Sequence, residues 1–251
     1  MTAPRPVGPL PWLDGRALDA VKVWAAVLMV TDHVTSMWFD RRYPLLDMLG
    51  RGSFPLFAYA SAIAIDRAQD PAAQVRSVGR LLLLAALVEP ISRWCRPPVA
   101  GVNVLFTLGV GMALAAAWPS FDGRWRAAAV AAAVACTAFL VPMEFSVAGT
   151  LFPAALSSFA RRERGSALVL GLLVVPLNVG DLWNVATLAP PGVLQQVLTR
   201  GARDAVVVAV LPLLVVHACK HLPATGRLLP KYFLHVFYPA HLLVLWALAP
   251  R

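Results

Sequence analysis

Two deep histidines and the acids near them are the residues of this chain best suited to proton chemistry. Asp32 and His33 stand side by side in the apolar run LMVTDHVTSMWF at 28–39. His241 lies in KYFLHVFYPAHLLVLW at 231–246, three residues after Tyr238. Imidazole accepts and donates a proton near neutral pH, and an apolar setting or a nearby carboxylate tunes it. Arg51 in GRGSFPLFAYASA (50–62) and Asn103 in GVNVLFTLGVG (101–111) could donate to a developing negative charge, and Thr107 shares a helix face with Asn103 at i+4. Each also has a structural role open to it, because bundles of apolar helices use such groups as hydrogen-bonding glue between helices.

Helical spacing constrains how these groups act. Neighbouring residues on a helix do not face each other, so Asp32 is badly placed to orient His33. Asp32 is expected to pair with a basic residue from another helix, with Arg51 and Arg80 as the candidates. Asp19, Lys22, Ala26, Met29 and His33 fall on one face, where Asp19 and Lys22 can pair at i and i+3. No HExxH spacing, strand-linked GxGxxG or P-loop occurs, so neither a metal site nor a soluble-type nucleotide fold is expected. Cys95, Cys136 and Cys219 are scattered and odd in number, which argues against a disulfide framework.

The elements that must hold these groups are apolar. Of the 251 residues, 59% are hydrophobic and only 14% charged, against roughly 25% charged in soluble domains. Mean hydropathy is +0.68. The reading is an all-α, polytopic membrane helix bundle of about nine transmembrane helices joined by short loops. The spans are drawn at 18–39, 49–66, 78–95, 102–118, 126–142, 146–160, 165–179, 203–220 and 232–249. A short stretch at 181–192 reads as re-entrant or interfacial. Pro55 is expected to free a backbone carbonyl within the second span. Residues 1–17 form a proline-rich segment, with no small-x-small cleavage site after the first apolar block. The chain is therefore read as keeping its first span, with a single domain over 18–251. The net charge of +9 comes mostly from arginines between the blocks. They suit topology and headgroup contacts rather than nucleic acid, and their bias favours a cytoplasmic N-terminus.

Five motifs in order resemble the TraX family of membrane proteins from conjugative-transfer systems. LDAVKVWAAVLMVTDH at 18–33 is similar to the family's opening pattern, which ends in DH. GRGSFPLFAY at 50–59, RLLLLAALVEP at 80–90, NVLFTLGVG at 103–111 and YFLHVFYPAHLLVL at 232–245 follow. The likeness runs from Asp14 to the C-terminus, and over 120–200 it is carried by hydropathy more than by motif. Glu89 departs from the more neutral residue expected there.

The resemblance implies an inner-membrane acetyltransferase. It would move acetyl from acetyl-CoA to an amine, foremost the N-terminus of a conjugative pilin subunit. Carried over by motif, Asp32, His33 and His241 are catalytic candidates, and Arg51, Asn103 and Tyr238 candidates for substrate binding. Such a transfer needs a base for the amine proton, donors for the tetrahedral oxyanion and a thiol leaving group. His33 or His241 can be the base, and Asn103, Tyr238 or Arg51 a donor. Arg80, at a helix end, could meet the CoA phosphates. No cysteine lies in a motif, so direct transfer is expected. A non-catalytic scaffold for pilus assembly and a proton-coupled transporter are the competing readings.

Overall fold

The computed structural model describes residues 11, 13–68, 70–95, 102–135, 145–161, 163–179, 193–223 and 225–249. The α-helices among these residues, in chain order, are α1 (Gly15–Phe39), α2 (Pro44–Arg51), α3 (Ser53–Arg67), α4 (Pro71–Cys95), α5 (Val104–Ala117), α6 (Gly123–Ala135), α7 (Ser146–Ala160), α8 (Ser166–Val179), α9 (Val193–Cys219) and α10 (Phe233–Leu248). The protein is all-α in these residues, as the apolar blocks lead one to expect. The stretch 181–192 and the latter half of the 126–142 span lie outside the described residues.

The second apolar block departs from expectation. Drawn as one span over 49–66, it is two helices, α2 and α3, that meet at Gly52. Pro44 occupies the first turn of α2 and Pro55 the first turn of α3. First-turn amides have no intrahelical acceptor, so Pro55 sacrifices no helical hydrogen bond and does not free a carbonyl inside a span. At α5 the local chemistry is explicit. Asn103 sits at the N-cap with extended backbone, and its side-chain oxygen accepts from the Leu105 amide at 3.0 Å.

The core has two main parts. The larger joins α1, α3, α7, α8 and α9 through residues such as Val21, Phe54, Ile63, Phe152, Leu177 and Val208. The smaller joins α1, α4, α5 and α10 through Met29, Ala85, Val88, Leu105, Tyr238 and Leu242. Polar side chains lie inside with them: Asp32, His33, Thr35, Asp47, Asn103, Thr107 and His241 are buried. Conversely, Trp24, Leu83, Leu87, Leu172, Leu213 and Val236 are exposed.

No helix among the described residues is long and apolar enough to cross a membrane. The helices α5, α7, α8 and α10 have 14, 15, 14 and 16 residues. At 1.5 Å per residue they reach roughly 21–24 Å, short of a ~30 Å hydrocarbon core. Helices α1 and α4 have 25 residues each, but Asp19, Lys22 and Asp32 interrupt the first and Arg76, Arg80, Glu89 and Arg93 the second.

Candidate functional site

The C-terminal end of α1 builds one half of the site. Past Phe39 the chain turns sharply, with Asp40 and Arg41 in the left-handed region at φ 47° and 57°. The Arg41 amide donates to the Thr35 carbonyl at 2.8 Å, which folds the Arg41 side chain back along α1. Its Nη1 then donates to Asp32 Oδ1 at 3.3 Å and also to Asp47 Oδ1 from α2. Arg51 Nε stands 3.9 Å from the same Asp32 oxygen, with its guanidinium 5.7 Å above the Phe145 ring. Burial opposes the charge on Arg41, but the Asp32 and Asp47 carboxylates outweigh it and hold the guanidinium more firmly charged than a free arginine.

The GR motif has a steric reason. A Cβ on Gly50 would lie 2.7 Å from the Asp32 Cα, so only glycine lets α2 come this close to α1. That approach carries Arg51 and Asp47 to Asp32. The cluster holds two carboxylates and two guanidiniums.

His33 and His241 are brought together across 208 residues of chain. His33 Nδ1 and His241 Nε2 are 2.8 Å apart, and the two rings stack at 5.0 Å with 21° between planes. Nearby, Trp38 Nε1 donates to the Leu245 carbonyl at 3.1 Å and fastens α1 to α10 just beyond the pair. The Tyr238 ring meets His241 edge-on at 5.5 Å. Both histidines are buried, at 5% and 7% exposure.

The hydrogen bonds fix the tautomers. His241 Nδ1 faces the Phe237 carbonyl at 3.0 Å. A carbonyl only accepts, so this nitrogen carries the proton. Nε2 of a neutral His241 is then an acceptor, and the proton between the rings belongs to His33 Nδ1. In a neutral His33 the lone pair is then on Nε2. The Phe237 carbonyl, His241 and His33 thus form one hydrogen-bonded series.

The structure treats the sequence candidates differently. Asp32, His33, His241, Arg51 and Tyr238 come together where the C-terminal part of α1 meets the end of α2 and the middle of α10. Asn103 lies at the α4–α5 junction, where its Nδ2 donates to the Ala85 carbonyl at 3.0 Å and to Glu89 Oε2 at 2.8 Å. Both amide hydrogens are thus engaged, which makes Asn103 a helix cap and interhelix tie. Glu89, the departure from the family pattern, is the carboxylate that holds it, and it accepts from the Asn103 amide as well at 2.9 Å. Arg80, the other candidate for Asp32, does not reach it. It lines a separate cavity near the start of α1, with Asp19 and Lys22. Those two pair at 3.0 Å as their spacing predicts. Sequence reasoning missed Arg41 and Asp47. Arg41 stands between apolar blocks, where a charge reads as a topology signal, and only the left-handed turn reveals its target.

Among the described residues no group of three or more His, Cys, Asp or Glu could hold a metal ion. Cys95 and Cys219 are buried.

Comparison with known proteins gives the same answer as the motifs. The family model described as TraX protein matches residues 17–249, nearly the whole chain. The chain belongs to the TraX family. A Protein TraX from Escherichia coli is 31% identical over 245 residues, covering 96% of this chain and 90% of that protein. A Protein TraX from Escherichia coli strain K12 is 32% identical over 247 residues, with the same coverage. No solved structure matches. For the TraX family, then, this helix arrangement supplies the geometry in which the DH, GR and closing histidine motifs meet.

Proposed function

We propose that this TraX-family protein is a membrane-embedded acetyltransferase of the conjugation apparatus. It transfers acetyl from acetyl-CoA to an amine acceptor, foremost the N-terminus of a pilin subunit. The observation that carries this reading is the buried His33–His241 pair beside the Asp32–Arg51–Arg41 cluster. Such a pair, with a lone pair on His33 Nε2, is what removal of an amine proton requires.

In the proposed step the acceptor nitrogen attacks the thioester carbonyl. A C–N bond forms, the proton on nitrogen passes to His33 Nε2, and the tetrahedral oxyanion collapses. The C–S bond breaks, and the same proton goes to the departing CoA thiolate. The His241 Nε2 acceptor steadies His33 as it becomes cationic, and Tyr238, packed against His241, is the donor candidate for the oxyanion. Asp32 is paired with its arginines, which hold the end of α1 in place.

A bilayer setting is supported by the reversed polarity of the molecule. Trp24, Leu83, Leu87 and Leu172 face outward while Asp32, His33, Asp47 and His241 face inward. Short helices fit a locally thinned bilayer at modest cost. In the inner-membrane orientation favoured by the basic residues, the N-terminal end of α1 faces the cytoplasm and its acyl-CoA. Two joined histidines would also serve a proton relay, so the test must read acetyl itself.

That test uses membranes bearing the protein, labelled acetyl-CoA and an inserted, processed pilin. Mass measurement of the pilin N-terminus is expected to find one labelled acetyl group with these membranes and none with membranes lacking the protein. Unmodified pilin in both would reject pilin acetylation.

A further inference from the structure

A cavity lies away from the histidines, at the N-terminal end of α1. It has a volume of about 310 Å³ and is open to one side, between α1, α3, α4 and the segment leading into α10. Lys22, Arg80, Arg227, Lys231 and His235 line it, with Asp19 the one acidic residue on its wall. Asp19 is already committed: it takes Lys22 at 3.0 Å and the amides of Leu228 and Leu229 at 3.1 and 3.3 Å. Among the described residues Arg80, Arg227 and Lys231 pair with no carboxylate within ion-pair distance, while most other described arginines do. A concave site with surplus cations and one neutralised acid is built for a multiply charged anion.

A second observation points from this cavity to the histidines. Phe233 lines the cavity, and from it four rings run in a single stack: Phe233 on Phe237 at 5.3 Å, Phe237 on His241 at 5.1 Å, and His241 on His33 at 5.0 Å. Phe233, Phe237 and His241 recur every four residues on one face of α10 and cover about 12 Å at 1.5 Å per residue. On α1 the face from Lys22 through Ala26 and Met29 to His33 runs parallel to it for roughly 16 Å.

We infer that this cavity is the phosphate-binding end of the donor site. It holds the phosphates of an acyl-CoA thioester, whose pantetheine arm lies along the ring stack with the thioester at His33. The inference rests on the acetyl-transfer reading for the identity of the ligand, and on the cavity itself for its charge and place. The arm contains a pantoyl, a β-alanyl and a cysteaminyl unit, about four extended residues long, or roughly 14 Å. This is comparable with the roughly 12 Å of helix between Phe233, on the cavity wall, and His241. The arginines suit the phosphates because a planar guanidinium can grip two phosphate oxygens at once.

The same cations would attract the phosphate of an anionic lipid, so the experiment separates the two sources. Unlabelled CoA is titrated into the full-length protein held in nanodiscs of neutral phosphatidylcholine. The same is done with Arg80→Ala/Arg227→Ala, with His33→Ala, and with discs containing phosphatidylglycerol. Both arginines are exposed and unpaired by carboxylates, so their loss spares the fold; Arg80→Lys/Arg227→Lys is the charge-conserving check. The wild-type chain and His33→Ala are expected to bind CoA equally, with dephospho-CoA weaker. The double alanine variant should bind at least about tenfold more weakly, and the double lysine variant should recover part of that loss. CoA binding untouched by the double alanine variant would overturn the site. So would absence of CoA binding in neutral discs while phosphatidylglycerol associates through Arg80 and Arg227. Wild-type CoA binding without any acetyl transfer would leave the site standing and remove the transfer reading instead.

Discussion

At the scale of single residues, charge partnership explains why polar groups persist among apolar ones. Asp32 is held by Arg41 at 3.3 Å and by Arg51 at 3.9 Å, and Arg41 also holds Asp47. Removing Arg41 takes one guanidinium from Asp47, at 2% exposure, and the nearer of two from Asp32. Arg41→Ala is expected to destabilise the fold by about 3 kcal/mol, the range for breaking a buried pair from one side. Thermal unfolding in detergent reads it, and a midpoint equal to that of the wild type would contradict the described network. The sequence made Asp32, His33 and His241 visible because ionisable groups in apolar runs are costly and stand out. Their mutual contact was not visible, since no periodicity links residues 208 positions apart. Nor was the role of Arg41, which depends on two left-handed residues that composition does not announce.

At the scale of elements, the deciding feature is the approach of α2 to α1. Gly50→Ala puts a methyl group 2.7 Å from backbone and side-chain atoms of Asp32, so the helices must move apart. The expected outcome is a loss of about 1–3 kcal/mol from overpacking, together with lost acetyl transfer as Arg51 and Asp47 withdraw. The two effects are read by unfolding midpoint and by labelled transfer at matched protein level. Equal stability and activity would mean that the GR motif serves something other than close approach. Element boundaries were largely legible: the block drawn at 146–160 is α7, and 165–179 is α8 but for one residue. The division of the second block was not, because α2 continues the helical apolar pattern and Gly52 is a weak break on its own. Asn103 was legible as polar and buried, yet its engagement depends on Glu89, fourteen residues earlier on α4.

At the scale of the whole molecule, the polarity pattern makes a prediction about surroundings. A chain with Trp24, Leu83, Leu87 and Leu213 outward and its ionisable groups inward should stay with lipid when peripheral contacts are stripped. After alkaline carbonate washing of membranes, the protein is expected in the pellet and released only by detergent. Appearance in the supernatant would reject the bilayer reading. The same arrangement sets a basic cavity at one end of α1 and the acid–arginine cluster at the other, with the histidines reached through a stack of rings. In the proposed transfer, donor and acceptor would approach from different sides of one bundle.

The most direct test of the central claim, that His33 is the base and His241 orients it, is a double-mutant cycle on acetyl transfer. Initial rates are compared for the wild type, His33→Ala, His241→Ala, His241→Gln and the double alanine variant, all at equal membrane insertion. His33→Ala is expected to lose about 10²–10⁴-fold. His241→Ala should lose roughly 5–150-fold, the value of one buried hydrogen bond. His241→Gln, whose amide oxygen can replace Nε2, should recover part of that loss. The double variant should be no slower than His33→Ala alone, because a positioning residue has nothing left to position. Multiplicative losses, or a His33→Ala variant as fast as the wild type, would contradict the pair as described.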